Sequence, residues 1–347
     1  MRALAKTAGE HGHVELIDVP KPEPGRSEAL VVVDYAGMCG SDAGIYEFEE
    51  MFEMMTFPTV IGHEYTGRIV EVGDGVEHFS VGDRVVEEPI RSCGDCYQCH
   101  SGDPQICADA HITGVHHDGA FAPYVAVPEH HLHAVPDDVS PEHAAITEPA
   151  SVSTRAVCEN SRVRAGSTVL VEGPGPIGLL AAQVARAQGG DVVVSGVGQD
   201  ADFRLPLARD LGFETANVGD RDVTAVADEA TDGVGFDVVV DATGHPSGFS
   251  AGIDAVRKGG QIVLVGQSGT VQADVTPLVR GEVDVQFSYA SQWQDFERAL
   301  GFIRSGDIDA ETFTDDGFSL LNADEAFETF LAGGTCKPVF DVSELRD

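Results

Sequence analysis

The stretch Thr168-Val-Leu-Val-Glu172-Gly173-Pro-Gly175-Pro-Ile-Gly178 decides the fold. Its first half is a short apolar run of the kind a parallel strand buries on both faces. Its second half reads G-x-G-x-x-G, and Ile177 to Gln188, rich in Leu and Ala, continues as a helix candidate. Alone, the glycine pattern is weak, because a tight Gly-Pro loop needs no ligand. Between a strand and a helix it acquires a mechanism. Gly173 makes the tight turn, Gly175 lets backbone approach a pyrophosphate, and Gly178 lets the helix pack on the sheet with its positive N-terminus toward the phosphates. Pro176 and Ile177 belong to the same loop.

Downstream the pattern repeats. Asp191-Val-Val-Val-Ser, Phe236-Asp-Val-Val-Val-Asp and Gln261-Ile-Val-Leu-Val-Gly are further buried strands, and Arg204 to Leu211 suggests a helix with Pro206 in its first turn. Alternating strands and helices predict an α/β, doubly wound parallel sheet, a Rossmann domain. Thr243 and Gly266, just past two of these strands, join the expected cofactor-binding set. An acid at the end of the second strand would bind the ribose hydroxyls of NAD. Here the strand ends Ser195-Gly196-Val197-Gly198-Gln199, with Asp200 and Asp202 further on. Gly196 leaves room for a 2′-phosphate and Arg204 can meet one, which favours NADP over NAD; the alternative for Arg204 is a surface ion pair.

Residues 1 to about 150 read differently, as β-rich segments: Ala29 to Tyr35, Glu64 to Val72, and the turn–strand signal Val81-Gly-Asp-Arg-Val-Val. This half holds most of the histidines and five of the seven cysteines. Cys93, Cys96, Cys99 and Cys107 follow C-x2-C-x2-C-x7-C, spacing that can close a tetrahedral thiolate shell around a structural zinc. Paired disulfides and iron–sulfur ligation are the alternatives. The last sixty residues return to mixed structure, with a helix near Gln294 to Ser305, and are expected to rejoin the first domain.

Composition narrows the function. Fifty-eight acids face twenty-one bases, a formal charge of −37, and only Lys6, Lys21, Lys258 and Lys337 are lysines. Acids spread along the whole chain argue against nucleic acid as a partner. They fit a cytosol rich in salt, as in a halophile, where screening relieves self-repulsion. No signal peptide or membrane span is evident, so a cytoplasmic protein is expected.

Three further segments carry candidate ligands: Cys39-Gly-Ser41-Asp42, Gly62-His63-Glu64 and Glu148-Pro149. Cysteine, histidine and glutamate are competent zinc ligands, though each residue alone is more often packing. With Gly37-Met-Cys39-Gly-Ser41-Asp42, Gly62-His63-Glu64-Tyr-Thr-Gly67, Val81-Gly-Asp-Arg-Val85, the cysteine lobe, Glu148-Pro149 and the glycine loop in this order, the sequence resembles the zinc-dependent medium-chain dehydrogenases. The likeness spans essentially the whole chain and is strongest to the sorbitol-like polyol and threonine dehydrogenase branches.

The resemblance implies a β-rich, GroES-like catalytic domain from 1–151 and 288–347, a Rossmann NAD(P)-binding domain at 152–287, and a homodimer or homotetramer. It implies hydride transfer between NAD(P) and a polyol, sugar, sugar acid or related alcohol, assisted by a catalytic zinc. A hydroxy amino acid substrate of the threonine type is one alternative, and a non-catalytic nucleotide-binding zinc protein another. Cys39 and His63 would bind the catalytic zinc, with Glu64 and Glu148 as carboxylate ligands directly or through water. Neighbours on a regular strand point to opposite faces, so joint ligation by His63 and Glu64 needs a bend, for which Gly62 is suited. Asp42 would hold the free ring nitrogen of His63, and Ser41 would open a proton path.

Two departures stand out. Gly44 occupies the place of a family histidine used in proton relay. The sorbitol-like F-R-Y-x-x-x-W reads Phe287-Ser288-Tyr289-Ala-Ser-Gln-Trp293, with Ser288 where an arginine would meet polyol hydroxyls. Tyr289 and Trp293 are expected either to line the substrate pocket or to pack in the core. His116, His117, His130, His131 and His133 read as surface or loop residues.

Overall fold

The computed structural model describes residues 1–267, 269–314 and 317–346. The chain divides into two compact units. One comprises Pro149–Ser291 with Ser305–Asp309; the other comprises Met1–Glu148, Gln292–Arg304 and the chain from Ala310 on.

The middle unit is built on a six-stranded, all-parallel sheet. Its strand order is Glu214–Asn217, Asp191–Gly196, Thr168–Glu172, Phe236–Asp241, Val256–Leu264, Asp284–Phe287. In chain order that is 3-2-1-4-5-6, the doubly wound Rossmann arrangement, with its switch point beside Thr168–Glu172. Val169, Leu170 and Val171 are fully buried, as a central strand covered on both faces requires. Each such side chain contributes about 1.5–3 kcal/mol relative to exposure. The helix Pro176–Ala187 follows at once and buries eight consecutive residues, Gly178 to Ala185. The helix Arg204–Asp210 tolerates Pro206 because it falls in the first turn, where its missing N–H costs nothing.

The other unit is antiparallel. Its main sheet runs Leu132–Ala134, Arg84–Glu87, Glu64–Val72, Glu28–Gly37, Val339–Asp341, and Tyr124–Pro128 also pairs with Glu28–Gly37. A three-stranded sheet joins Val14–Asp18, Arg2–Lys6 and Thr59–Val60, and Ile90–Arg91 pairs with His111–Ile112. Val31, Val33, Ile69, Val85, Val125, Phe121 and Phe340 are all nearly inaccessible and belong to one apolar cluster. The C-terminal strand Val339–Asp341 closes the edge of Glu28–Gly37, with Val339 opposite Gly37. That register decides the site described below.

Some sequence expectations are corrected. His131 and His133 are buried, not surface residues, whereas His116, His117 and His130 are exposed. His133 lies between Glu297 (2.7 Å from Nδ1) and Glu88 (2.8 Å from Nε2), which makes a buried ring tolerable. Burial lowers the His131 imidazole to about 3, so it stays neutral. Tyr289 and Trp293 are 44% and 56% exposed, so neither is a core residue. Among the described residues no helix is long and apolar enough to cross a membrane.

Candidate active site and metal centres

Cys39 stands where the strand Glu28–Gly37 gives way to the helix Gly40–Glu47. Asp42, in the first turn of that helix and fully buried, accepts the Cys39 N–H with Oδ2 at 2.9 Å. Its other oxygen accepts the Gly62 N–H at 3.3 Å. One carboxylate thereby ties together the two segments that carry the candidate ligands. His63 Nδ1 lies 3.9 Å from Asp42 Oδ1, near enough for charge but short of a hydrogen bond.

Gly62 has φ +88°, a left-handed conformation that side chains resist, and a Cβ there would fall 2.4 Å from the Phe121 ring. The bend it makes precedes the strand Glu64–Val72. The sulfur of Cys39, a ring nitrogen of His63 and a carboxylate oxygen of Glu64 all lie within 4.8 Å of one another. The adjacent pair His63–Glu64 thus converges on one point, as the bend allows.

Glu148, in the first turn of the helix Thr147–Thr154, lies outside this compact triple but within reach of its charges. Burial, then the charge of Glu64, push its carboxyl up to about 7. Burial alone would lower the His63 imidazole, but the charges of Asp42 and Cys39 outweigh it and hold it well above its ordinary value. Ser41 is half-buried in the first turn of the helix after Cys39.

Lys337 completes the cluster, and sequence reasoning missed it. It is 1% exposed, forms an ion pair with Glu64, and donates to the Met38 carbonyl at 2.9 Å. Burial lowers its ammonium, but Glu64 and then Cys39 reverse this and raise it. Gly37 makes room for the pair: a Cβ there would lie 2.8 Å from Glu64 Oε2 and 3.1 Å from Lys337 Cε. The available signal was that Lys337 is one of four lysines in so acidic a chain.

The donor set fits zinc. Thiolate, imidazole and carboxylate are its usual ligands, three of them make a catalytic site with an open position, and here the three donor atoms lie within 4.8 Å of one another.

The four-cysteine lobe fits zinc as well. Its sulfurs are 3.5 Å (Cys96–Cys99), 3.7 Å (Cys96–Cys107) and 3.5 Å (Cys93–Cys107) apart. A disulfide needs about 2.05 Å, and none of the seven cysteines is in one. A zinc tetrahedron with bonds of about 2.3 Å has edges of about 3.8 Å. Backbone N–H groups of Cys93, Asp95 and Asp109 point at these sulfurs, and hydrogen bonds from the backbone around Cys99 and Ala108 bring the Cys96 thiol down to about 6. With four thiolates the shell is closed, so this centre is structural. Cys96→Ser should remove one zinc per chain by elemental analysis and lower the unfolding midpoint by several degrees. Unchanged zinc content would refute the assignment.

In the middle unit the glycine loop is shaped as a cradle. A Cβ on Gly178 would fall 1.9 Å from the Gly173 carbonyl, whereas one on Gly175 would meet nothing within 4 Å. Gly178 is needed for packing, and Gly175 leaves open space at the N-terminus of the helix Pro176–Ala187. Gly266 packs against Gly244, where its Cβ would be 2.4 Å from the amide nitrogen. The Thr243 hydroxyl donates to Asp241 at 2.6 Å.

Asp200 is nearer the second strand than its sequence position suggests. The turn Gly198–Asp200 folds it back, buried at 4% exposure, so that Oδ2 accepts the Val197 N–H at 3.0 Å. A Cβ on Gly196 would lie 3.0 Å from that oxygen. Arg204 Nη1 faces Asp200 Oδ1 at 3.8 Å.

Residues 25–137 match the family described as alcohol dehydrogenase GroES-like domain, and residues 176–305 match zinc-binding dehydrogenase. The chain is 36% identical to a sorbitol dehydrogenase of Halalkalibacterium halodurans, covering 97% of this chain and 98% of that one. It is 34% identical to an L-threonine 3-dehydrogenase of Pyrococcus furiosus, covering 98% of each. A zinc-binding dehydrogenase from Sinorhizobium meliloti, crystallised with NADP, superposes with a TM-score of 0.89 at 29% identity over 98% of both chains. With a parallel sheet ordered 3-2-1-4-5-6, a closed four-thiolate lobe and an open Cys–His–Glu set, the chain belongs to the zinc-binding medium-chain alcohol dehydrogenase family and is a zinc-dependent, NAD(P)-linked enzyme of it.

Proposed function

We propose that this enzyme interconverts a secondary alcohol of the polyol or sugar class with its ketone, and that Cys39, His63 and Glu64 hold the catalytic zinc. The observation that carries the reading is the convergence of these three donors within 4.8 Å, with Glu148 in electrostatic range. Zinc and the dinucleotide, when bound, supply Lewis acidity toward an alcohol oxygen and a hydride acceptor.

The chain's own groups do the rest. Asp42 fixes the Cys39 and Gly62 segments relative to one another. Lys337 neutralises Glu64, so that the ligand set does not accumulate uncompensated negative charge. The Ser41 hydroxyl, in the first turn beyond Cys39, takes the alcohol proton at Oγ and passes it outward. Glu148, raised by burial and by the charge of Glu64 in the metal-free site, would ionise as zinc supplies the opposing charge and would serve as a ligand directly or through water.

Substrate choice between the polyol and hydroxy amino acid branches turns on residues outside this cluster. Ser288, in place of the sorbitol-type arginine, is buried, and its hydroxyl is held by Asn160 at 3.0 Å. That argues for an alcohol recognised without a cation at this position, and against sorbitol itself.

The cofactor preference follows Asp200. A carboxylate beside the end of the second strand accepts ribose hydroxyls, and Arg204 already faces it. This reverses the preference for NADP drawn from sequence and favours NAD. Nicotinamide absorbance, followed with both cofactors against polyols, sugars, sugar acids, threonine and simple alcohols, tests both readings. Turnover with polyols or sugars and a higher kcat/KM with NAD is expected. Turnover confined to threonine would overturn the substrate class, and a preference for NADP that disappears in Arg204→Ala would overturn the cofactor reading.

We further infer a cytoplasmic setting, for which seven cysteines outside any disulfide speak, and subunit pairing through the open edge strand Asp284–Phe287, whose Phe287 is 70% exposed. The acid excess leads us to expect an unfolding midpoint that rises with KCl as self-repulsion is screened. Full stability in dilute buffer would count against a saline cytosol.

A further inference from the structure

The neighbouring strands Thr168–Glu172 and Phe236–Asp241 end on two acids in register, Glu172 opposite Asp241. Both side chains are buried, at 3% and 0% exposure. Their surroundings differ in one respect. Asp241 Oδ1 accepts the Thr243 N–H at 2.9 Å and the Thr243 hydroxyl at 2.6 Å. Glu172 Oε2 and Asp241 Oδ2 have no hydrogen-bond partner among the described residues.

Among the described residues no basic side chain compensates Glu172. The helix Pro246–Ala255 presents Gly248 and Gly252 to the pair: a Cβ on Gly252 would lie 3.2 Å from Glu172 Oε2, and one on Gly248 2.6 Å from Asp241 Oδ1. The strand on one side offers Ser195 opposite Glu172, and the strand on the other offers Leu264 opposite Asp241. Among the described residues the one other titratable group whose charge is felt is exposed His245, which acts on Asp241. Two desolvated carboxylates side by side do not both ionise readily. Asp241, which has two donors, keeps the charge, and Glu172, which has none, keeps the proton. Burial, and then the charge of Asp241, accordingly hold the Glu172 carboxyl well above the usual carboxylate range.

Glu172 immediately precedes Gly173, and its carbonyl accepts the Ala242 N–H at 2.9 Å, so it underlies both loops that follow these strands. We propose that Glu172 is a neutral acid beneath the glycine loop and that its ionisation weakens dinucleotide binding, making cofactor affinity depend on one proton. The proposal rests on the dinucleotide reading of that loop. The glycine loop and helix N-terminus attract phosphate through partial positive charge. A carboxylate formed one residue behind the loop, with its proton lost to solvent, opposes that field in a region of low dielectric. Glu172 is thus a positioning residue that acts through the loop, without touching the cofactor.

The test is titration of the purified enzyme with reduced nicotinamide dinucleotide, read by nicotinamide fluorescence from neutral to alkaline pH. Above the ionisation of Glu172 the wild-type Kd should rise about tenfold per pH unit, the slope of a one-proton linkage. Glu172→Gln should bind with a Kd that stays flat over this range. Asp241→Asn, by removing the neighbouring charge, should move the break to lower pH. In nucleotide-free protein, the infrared difference between wild type and Glu172→Gln should show one protonated-carboxyl band, which disappears from the wild type above the ionisation of Glu172. An alkaline slope retained in folded Glu172→Gln overturns the proposal. If that variant does not fold, an unmoved break in Asp241→Asn overturns it instead. Failure of the wild type to bind any nicotinamide dinucleotide at neutral pH overturns the dinucleotide reading, and this proposal with it.

Discussion

Cys39→Ala should be folded and essentially inactive. Losing the thiolate removes one of three converging donors, and His63 and Glu64 alone do not hold zinc in a catalytic geometry. The Lewis acidity of such a metal contributes several kcal/mol to the barrier, and each 1.36 kcal/mol is tenfold, so a fall in kcat/KM on the order of 10³-fold or more is expected. The fold should survive, because Cys39 lies between secondary elements and its backbone N–H is held by Asp42, which the substitution leaves in place. Zinc content should drop by one equivalent while the four-cysteine lobe keeps its own. Full turnover by metal-replete Cys39→Ala protein would sink the assignment of the triple.

Lys337→Met should be the most destabilising single change in the site. The methionine has nearly the same length and no charge, so in metal-free protein Glu64 would be left buried, at 1% exposure, without a cation. Breaking a buried pair by removing one partner costs about 3–5 kcal/mol. The sign of the pH dependence follows from the raised ammonium. A cation whose folded pKa exceeds its unfolded value contributes stability that is fully present below the unfolded pKa and lost as pH rises through the folded one. For Lys337 that loss begins only above the ordinary lysine value of 10.5. At neutral pH the wild type therefore has the whole contribution and the variant none of it. Glu64→Gln on top of Lys337→Met should restore most of the loss, because a neutral amide needs no counter-charge. Denaturant unfolding of the two variants and their parent measures this. A Lys337→Met protein as stable as the parent would show that the pair contributes nothing to the fold.

These two residues mark the boundary between what was legible early and what was not. Cys39, His63 and Glu64 were singled out because the motifs that carry them resemble those of the zinc-dependent dehydrogenases; each residue alone reads more often as packing. The four cysteines were readable because a thiolate shell closes within fifteen residues of chain. The glycine loop was readable because strand, turn and helix are consecutive. Asp42 was expected to hold the His63 ring; in the structure its hydrogen bonds go instead to the Cys39 and Gly62 amides.

Periodicity and spacing encode what neighbours along the chain do, since backbone dihedrals and side-chain direction repeat over two or four residues. They therefore determined the strands, the helices, the parallel sheet and the closed cysteine lobe, while the catalytic ligand set rested on the resemblance to the dehydrogenase family. Only the tertiary structure decided which distant groups meet. The pairing of Val339 with Gly37 brings Lys337 to Met38 and Glu64 from the far end of the chain. The turn Gly198–Asp200 brings an acid back to a strand end that looked neutral. The parallel register of Thr168–Glu172 and Phe236–Asp241 sets two buried acids side by side. Strand register fixes such contacts through the burial of a whole face, a collective quantity that no local window contains.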